Sequence, residues 1–425
     1  MSAATRAEAR DAHEVASPAC VAAAQRIRVM HLIEDLGPGG AERLLVVNLA
    51  RLDRSSFDGV VCHLYDHRSL HWRQAIVDLG YPVLSLKMTS VRDLPRGVVR
   101  LSRLLTRHRI DVLHTHLLGA NLVGRIAAAV AGIPVVSSLH NPDYEPSVFI
   151  DNTSLSPGKL RILRWLDRAT CRLARPEFVA VSSYVQQSAE RHLGIPAERA
   201  TVIYNAIDTA AFARSAETAA SARRLRAELG LASSDPVVLC VARLDPQKGL
   251  RYLIEALPAI VREYPRVAAL FVGTGAPAME AGLVALAERL HVRSHVHFIG
   301  ATPDVRPYLD LCDVFVLPSL YEGMGIALVE AMAMERPCVA TRASAVPEVV
   351  ADGASGLLVP PANPEELAAA VCRLLADAGL RARMAAEGRR IACERFDIAQ
   401  GIGELETLYR RVARRGERVK PGRAT

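Results

Sequence analysis

The sequence predicts an α/β protein built as two doubly wound domains in tandem. Three observations lead there. Short, continuous Val/Ile/Leu runs bounded by Gly, Pro or Asp recur along the whole chain, which is the pattern of strands covered on both faces. Segments with helical periodicity separate them, so successive strands must run parallel. The runs fall into two series, and the 425 residues leave roughly 200 for each.

In the first series the expected strands are Ile27–Ile33, Val60–Tyr65, Val83–Leu86, Asp111–His116, Pro134–Leu139, Phe178–Val181 and Thr201–Tyr204. The second holds Val237–Val241, Ala268–Gly273, Val296–Gly300, Val314–Leu317, Cys338–Thr341 and Leu357–Val359. The break falls near Asn205–Asp208, which sets domains at 27–205 and 206–397. A last helical pattern, Ile398–Val412, has no strand after it and is expected at 398–413, packed back across the junction. Residues 1–26, rich in Ala, Arg and Glu, read as a disordered tail without the apolar core of a signal peptide. Residues 414–425 read as a basic tail.

Composition narrows the class. The apolar stretch Ile126–Val136 is broken by Gly132 and Pro134 and is too short to span a bilayer. None of the eight cysteines forms a C-x-x-C pair, and several sit in apolar runs, as buried thiols in a reducing cytoplasm do. A net charge of +7 suits an anionic partner: nucleic acid, membrane or phosphorylated substrate. With 5% aromatics and no basic segment interleaved with stacking residues, nucleic acid fits worst. Arg96, Arg100, Arg103 and Arg107 recur at helical spacing beside a stripe of Leu94, Val98, Leu101 and Leu105. That helix either docks on anionic headgroups or packs on the core with a solvated Arg face.

Ligands of parallel sheets bind outside the carboxyl ends of the strands. Those ends carry Gly37-Pro38-Gly39-Gly40-Ala41-Glu42, His116 and His140-Asn141 in the first half. In the second half they carry Arg243–Gly249 ("RLDPQKG"), Gly273-Thr274-Gly275 and the segment around Glu322. Arg243 and Lys248 beside a helix start make an anion site or, alternatively, a solvated loop. The amides of Gly323, Met324, Gly325 and Ile326 are free donors at another helix start. Glu322 and Glu330 flank that start. They suit sugar diols, each carboxylate accepting two O–H bonds, or else serve as a helix-start acid and a surface residue. His116 and His140 are either site residues or hydrogen-bonded structural histidines. Gly39-Gly40 cradles a phosphate or makes a tight turn, and full G-x-G-x-x-G spacing is missing. There is no D-x-D, no Walker A run and no Cys/His cluster with zinc spacing.

Taken together, "GPGGAERLLVVNLA", "DVLHTH", "SSLHN", "VIYNAID", "VARLDPQKG", "VGTG" and "EGMGIALVEAMAMERPCVAT…PEVV…GLLV" resemble the family 4 glycosyltransferases, over residues 27–413. The resemblance implies a GT-B fold, two Rossmann-like domains facing a central cleft, the first for the acceptor and the second for the donor. It implies a retaining, metal-independent enzyme without cofactor that moves a sugar from a nucleotide diphosphate to an acceptor hydroxyl. Arg243 and Lys248 would hold the donor diphosphate, Glu322 the sugar hydroxyls and Glu330 the ribose. Gly40, Gly273, Gly323, Met324, Gly325 and Ile326 would line the donor, His140 would sit at the reacting centre, and Gly39 and His116 would face the acceptor. Family habit adds a cell-envelope or exported polysaccharide product; the thiols place the protein in the cytoplasm, and docking of the basic helix, aided by the C-terminal "RRVARRGERVKPGR", would make it peripheral to the inner face of the plasma membrane, near a glycan or lipid-linked acceptor. Met324 stands where many relatives have Phe, and "TRASAVPEVV" lacks the usual glycine before Pro-Glu. A nucleotide-sugar epimerase, a glycoside hydrolase using Glu322 and Glu330, and a silent scaffold are the rival readings.

Overall fold

The computed structural model describes residues 26–66, 68–150 and 156–419. Seven parallel strands form the first sheet: β1 (Ile27–Ile33), β2 (Phe57–Tyr65), β3 (Val83–Met88), β4 (Val112–His116), β5 (Val135–Leu139), β6 (Glu177–Ala180) and β7 (Ala200–Val202), in the order β3-β2-β1-β4-β5-β6-β7. Six more form the second: β8 (Val237–Val241), β9 (Ala268–Val272), β10 (Val296–Gly300), β11 (Val314–Leu317), β12 (Cys338–Thr341) and β13 (Gly356–Val359), in the order β10-β9-β8-β11-β12-β13. Every pairing is parallel, so the doubly wound α/β architecture expected from the sequence is present twice. The strand order reverses between β1 and β4 and between β8 and β11.

β1, β8, β10, β11 and β12 have the expected ends, and the other strands differ from the sequence expectation by one to three residues at one end or both. Gly273 lies just past β9, with φ +140, because a Cβ there would sit 2.0 Å from the Ala242 carbonyl oxygen. The glycine is therefore demanded by the loop after β8 whether or not a ligand approaches.

The last helix, Ile398–Val419, returns to the first sheet and lays Leu405, Leu408, Tyr409 and Val412 against Val29, Phe57, Val112 and Val136. It is longer than the sequence suggested. The residues read as the start of a basic tail continue as helix, since Gly416 approaches Pro134 closely and Arg411 and Arg415 pair with Glu177 at 3.6 and 2.5 Å. Residues 420–425, the N-terminal tail and Cys20 lie outside the described residues.

The arginine-rich helix Leu94–Arg107 buries its apolar stripe: Leu101 and Leu105 are fully covered within the first sheet's core. The stripe is thus core packing, and only the arginine face meets solvent. A different helix, Pro157–Ala174, turns apolar side chains outward, with Ile162 63%, Trp165 67% and Leu173 59% exposed. Among the described residues no helix is long and apolar enough to cross a membrane.

Candidate active site

The second domain supplies a cation-and-carboxylate pair on two loops that lock together. After β8, the Asp245 side chain accepts from the Gln247 amide at 3.0 Å and starts the single turn Pro246–Lys248. Gly249 follows with φ +61, and a Cβ there would lie 2.1 Å from the Pro318 carbonyl oxygen. Gln247 completes the lock. Its side chain donates to the Tyr321 carbonyl at 3.0 Å and its own carbonyl accepts from the Leu320 amide at 2.8 Å. This fixes Lys248 Nζ 2.7 Å from Glu322 Oε1, which also accepts from the Ser319 hydroxyl at 2.7 Å. Both partners are largely buried, with side chains 16% and 6% exposed. Arg243 is freer: its nearest carboxylate is Asp245 at 3.6 Å and its side chain is 55% exposed.

Helix Ile326–Ala333 begins after Gly325, whose φ is +84. The Met324 side chain is 1% exposed and belongs to a core cluster that joins second-domain residues to Ala180, Val181 and Val185 of the first, so only its backbone is available to a ligand. Glu330, one turn inside the helix, is neither on the surface nor open. It is 2% exposed, and its carboxylate contacts Arg43 of the first domain at 2.5 Å as an ion pair. Burial pushes its pKa up, and the Arg43 charge opposes that rise.

The first domain meets this loop through His140, just after β5. A Cβ on Gly323 would fall 1.8 Å from the His140 carbonyl oxygen, so the two backbones touch across the cleft. Behind His140 runs a file of imidazoles. Its Nε2 lies 3.4 Å from His116 Nδ1, and His116 Nε2 lies 3.3 Å from His31 Nδ1. His114 contacts the Tyr409 hydroxyl at 2.6 Å and the Ser138 hydroxyl at 2.8 Å. Ring nitrogens of His31, His114 and His116 lie within 4.8 Å of one another, a spacing that a metal ion also accepts. Desolvation lowers the pKa of His31 and His140 to about 4, and those of His114 and His116 also fall, so the file is neutral at pH 7. A neutral His140 can exchange hydrogen bonds with a substrate but brings no charge.

Gly39 precedes the helix Gly40–Arg51, yet its space is taken: a Cβ there would sit 2.1 Å from Glu42 Oε2. The Glu42 carboxylate folds over the helix start, where burial pushes its pKa up to about 7. Gly40 has open space beside it. His116 is 4% exposed, so it supports His140 from behind rather than presenting itself to solvent.

Two of the interdomain contacts that sequence reasoning missed bear on the candidate site. Arg43 was one. The other is Glu348, whose carboxylate accepts from the Ser183 and Tyr184 amides at 2.9 and 2.6 Å and from the Tyr204 hydroxyl at 2.9 Å. A second-domain carboxylate thereby caps the first-domain helix Ser183–Leu193. Its signal was the acid in "VPEVV", whose partner only the domain arrangement reveals.

Beside His140 the first domain holds a cavity of about 360 Å³, bounded by Leu117, Leu118, Asn141, Asp143, Leu160 and Asp167 among others. Leu117 adopts φ +72, a strained value for a branched side chain, at the turn between His116 and the next helix.

Comparison with known proteins follows this geometry. Residues 38–211 match the family model "Glycosyltransferase Family 4" and residues 235–377 match "Glycosyl transferases group 1". A GDP-mannose-dependent alpha-(1-6)-phosphatidylinositol monomannoside mannosyltransferase of Mycolicibacterium smegmatis is 32% identical over 75% of this chain and 81% of its own length. The Escherichia coli UDP-Gal:alpha-D-GlcNAc-diphosphoundecaprenol alpha-1,3-galactosyltransferase is 25% identical over 90% and 97%. The crystal structure of Anabaena HepE in complex with UDP-glucose superposes with a TM-score of 0.78 at 28% identity, covering 90% of this chain and 99% of that one. The chain belongs to the family 4 (group 1) glycosyltransferases, enzymes of the GT-B fold that use nucleotide-sugar donors.

Proposed function

We propose that this protein is a retaining hexosyltransferase that builds a cell-envelope or exported polysaccharide, passing a sugar from a nucleoside diphosphate to a hydroxyl of a glycan or lipid-linked acceptor. The observation that supports this is the Lys248–Glu322 pair, fixed at 2.7 Å in the loops of the second domain, with the next residue, Gly323, set against the His140 backbone of the first domain.

In this reading the donor diphosphate lies between Arg243 and Lys248, with the amides ahead of Ile326 beside it. Lys248 exchanges Glu322 for a diphosphate oxygen. That frees the carboxylate to accept hydroxyls of the transferred sugar, so donor binding arms the site. Glu330 takes the ribose hydroxyls as Arg43 yields. Breaking the anomeric C–O bond builds negative charge on the leaving diphosphate. The two cations stabilise it, an effect of roughly 3–4 kcal/mol for one well-placed donor. With Glu322 on the sugar hydroxyls and Glu330 on the ribose, neither glutamate serves as a nucleophile in this reading, which favours same-face attack with a diphosphate oxygen taking the acceptor's proton over the hydrolase reading. His140, neutral, steadies the sugar.

The HepE complex with UDP-glucose supports a UDP-sugar donor, and the diphosphoundecaprenol relative supports a lipid-linked acceptor. A peripheral position on the anionic inner leaflet of the plasma membrane is supported by helix Pro157–Ala174, where exposed Ile162, Trp165 and Leu173 alternate with Lys159, Arg161 and Arg172. The test is a panel of nucleotide sugars read by thermal protection. One donor should raise the melting temperature, and adding acceptor should then release nucleoside diphosphate. No shift with any donor would reject the reading, and conversion of the donor without acceptor would favour an epimerase.

A further inference from the structure

We infer that His31 and His116, buried behind His140, act as positioning residues that set its tautomer, so that His140 offers the cleft an N–H at Nδ1 rather than a bare nitrogen. This deepens the glycosyltransferase reading and rests on it for one point, that an oxygen of the transferred sugar meets the N–H.

The file works collectively because its rings are neutral. A neutral imidazole carries one N–H and one lone pair, and each contact in the file needs one of each. His31 Nδ1 faces His116 Nε2 at 3.3 Å, and His116 Nδ1 faces His140 Nε2 at 3.4 Å. Only two registers satisfy both contacts. Either every ring is protonated at Nδ1, or every ring is protonated at Nε2. A mixed file sets two N–H groups or two lone pairs against each other.

The far end decides between them. His31 is 2% exposed, and its Nε2 is buried without a hydrogen-bond partner among the described residues. His114, stacked against it, has both nitrogens engaged, by the Tyr409 hydroxyl at 2.6 Å and the Ser138 hydroxyl at 2.8 Å. That engagement also removes the lone pair a metal ion would need from the third ring. Neither the large cavity nor a small one of about 30 Å³ beside His114, His116 and His140 borders His31, so neither offers it a water. Protonation at Nε2 would bury a donor with nothing to accept it, and native folds leave few such groups. Protonation at Nδ1 turns that donor into the file instead. At the near end the same register puts the His140 proton on Nδ1, which has no hydrogen bond among the described residues, in a side chain that lines both cavities. A neutral N–H there binds a sugar oxygen without setting a full positive charge beside an anomeric carbon that is itself turning positive.

The test isotope-labels the histidine ring nitrogens of the full chain and reads them by proton–nitrogen correlation NMR, in which protonated and bare nitrogens resonate far apart. His140 should carry its proton on Nδ1 in the wild type without ligand. His31→Phe removes the last donor of the file. It should move His140 toward the Nε2–H form and lower turnover by about 10-fold, the worth of one hydrogen bond. His31→Asn, whose amide nitrogen takes the place of Nδ1, should restore both. His63→Phe, at a buried histidine of β2 outside the file, should change neither. The melting temperature reports that each variant is folded. An Nε2–H tautomer at His140 in the wild type, an unmoved His140 in folded His31→Phe, or stoichiometric zinc held by His31, His114 and His116 would overturn the inference. Thermal protection by nucleotide sugars is measured separately. Its absence would strike the glycosyltransferase reading, while the ring spectra, taken without substrate, test the file alone.

Discussion

Replacing Gly323 by alanine puts a methyl carbon 1.8 Å from the carbonyl oxygen of His140. Real Cβ contacts do not fall below 3.0 Å, so the loop and the first-domain backbone must separate by about 1.2 Å. Neither side yields easily. The loop is locked through Gln247, and His140 follows directly on β5. The separation therefore passes to the domains, and His140, proposed to stand at the reacting centre, withdraws from the second-domain loop by about 1 Å. Misplacement of about 1 Å costs on the order of 100-fold in rate. Donor affinity should suffer little, because Arg243, Lys248 and Glu322 all lie in the second domain. The assay is steady-state transfer with the donor identified by thermal protection, alongside donor affinity by calorimetry. The expected result is turnover reduced roughly 100-fold with donor affinity within about threefold. Wild-type turnover in the folded variant would refute the close approach and the reasoning built on it.

Other perturbations separate the remaining parts. Lys248→Ala removes a cation from the leaving group and leaves Glu322 without its counter-charge; turnover should fall by about 10²–10³ at unchanged far-UV circular dichroism. Arg43→Ala strands the buried Glu330 carboxylate and should cost about 3–5 kcal/mol in denaturant unfolding, since the unpaired charge stays out of water. Glu42 carries a pKa raised from 4.5 to about 7, so its contribution to stability is full below pH 4.5 and is lost as pH rises through 7. Glu42→Gln removes that dependence, and its melting temperature relative to wild type should climb between pH 5 and pH 8. Ile162→Ser with Trp165→Ser removes two exposed apolar side chains, each worth about 1.5–3 kcal/mol when buried in lipid. Sedimentation with anionic vesicles should weaken by at least about 100-fold, and wild type that fails to sediment at low salt would refute docking.

The fold was legible because its strands are buried on both faces. Burial on both sides forces continuous apolar runs, and those runs stand out whatever the loops do. The candidate site was legible in parts: Arg243, Lys248, Glu322 and His140 lie at strand ends or helix starts, where local rules point, while Glu330 lies one turn inside a helix. What the local rules could not supply was pairing. Arg43 lies in "GAERLLVV", where an arginine reads as a solvated helix face, and its partner Glu330 belongs to the other domain. Glu348 finds its amides only once the domains are set against each other. His31 and His114 sit inside strands as isolated polar residues, and their file to His140 depends on the register of β1, β4 and β5. The extra turns of the last helix depend on Glu177, a residue far back in the chain. The Leu94–Arg107 stripe left docking and core packing both open, since periodicity gives a helix an apolar face without saying what covers it, and the first sheet's core covers this one.

The most direct measurement is a crystal structure of the protein with a nucleoside diphosphate sugar. The account predicts diphosphate oxygens within hydrogen-bonding distance of Arg243 and Lys248, with the Lys248–Glu322 contact opened and Glu322 on the sugar hydroxyls. A donor bound elsewhere, or bound here with Lys248 still on Glu322 and Arg243 turned to solvent, would contradict it.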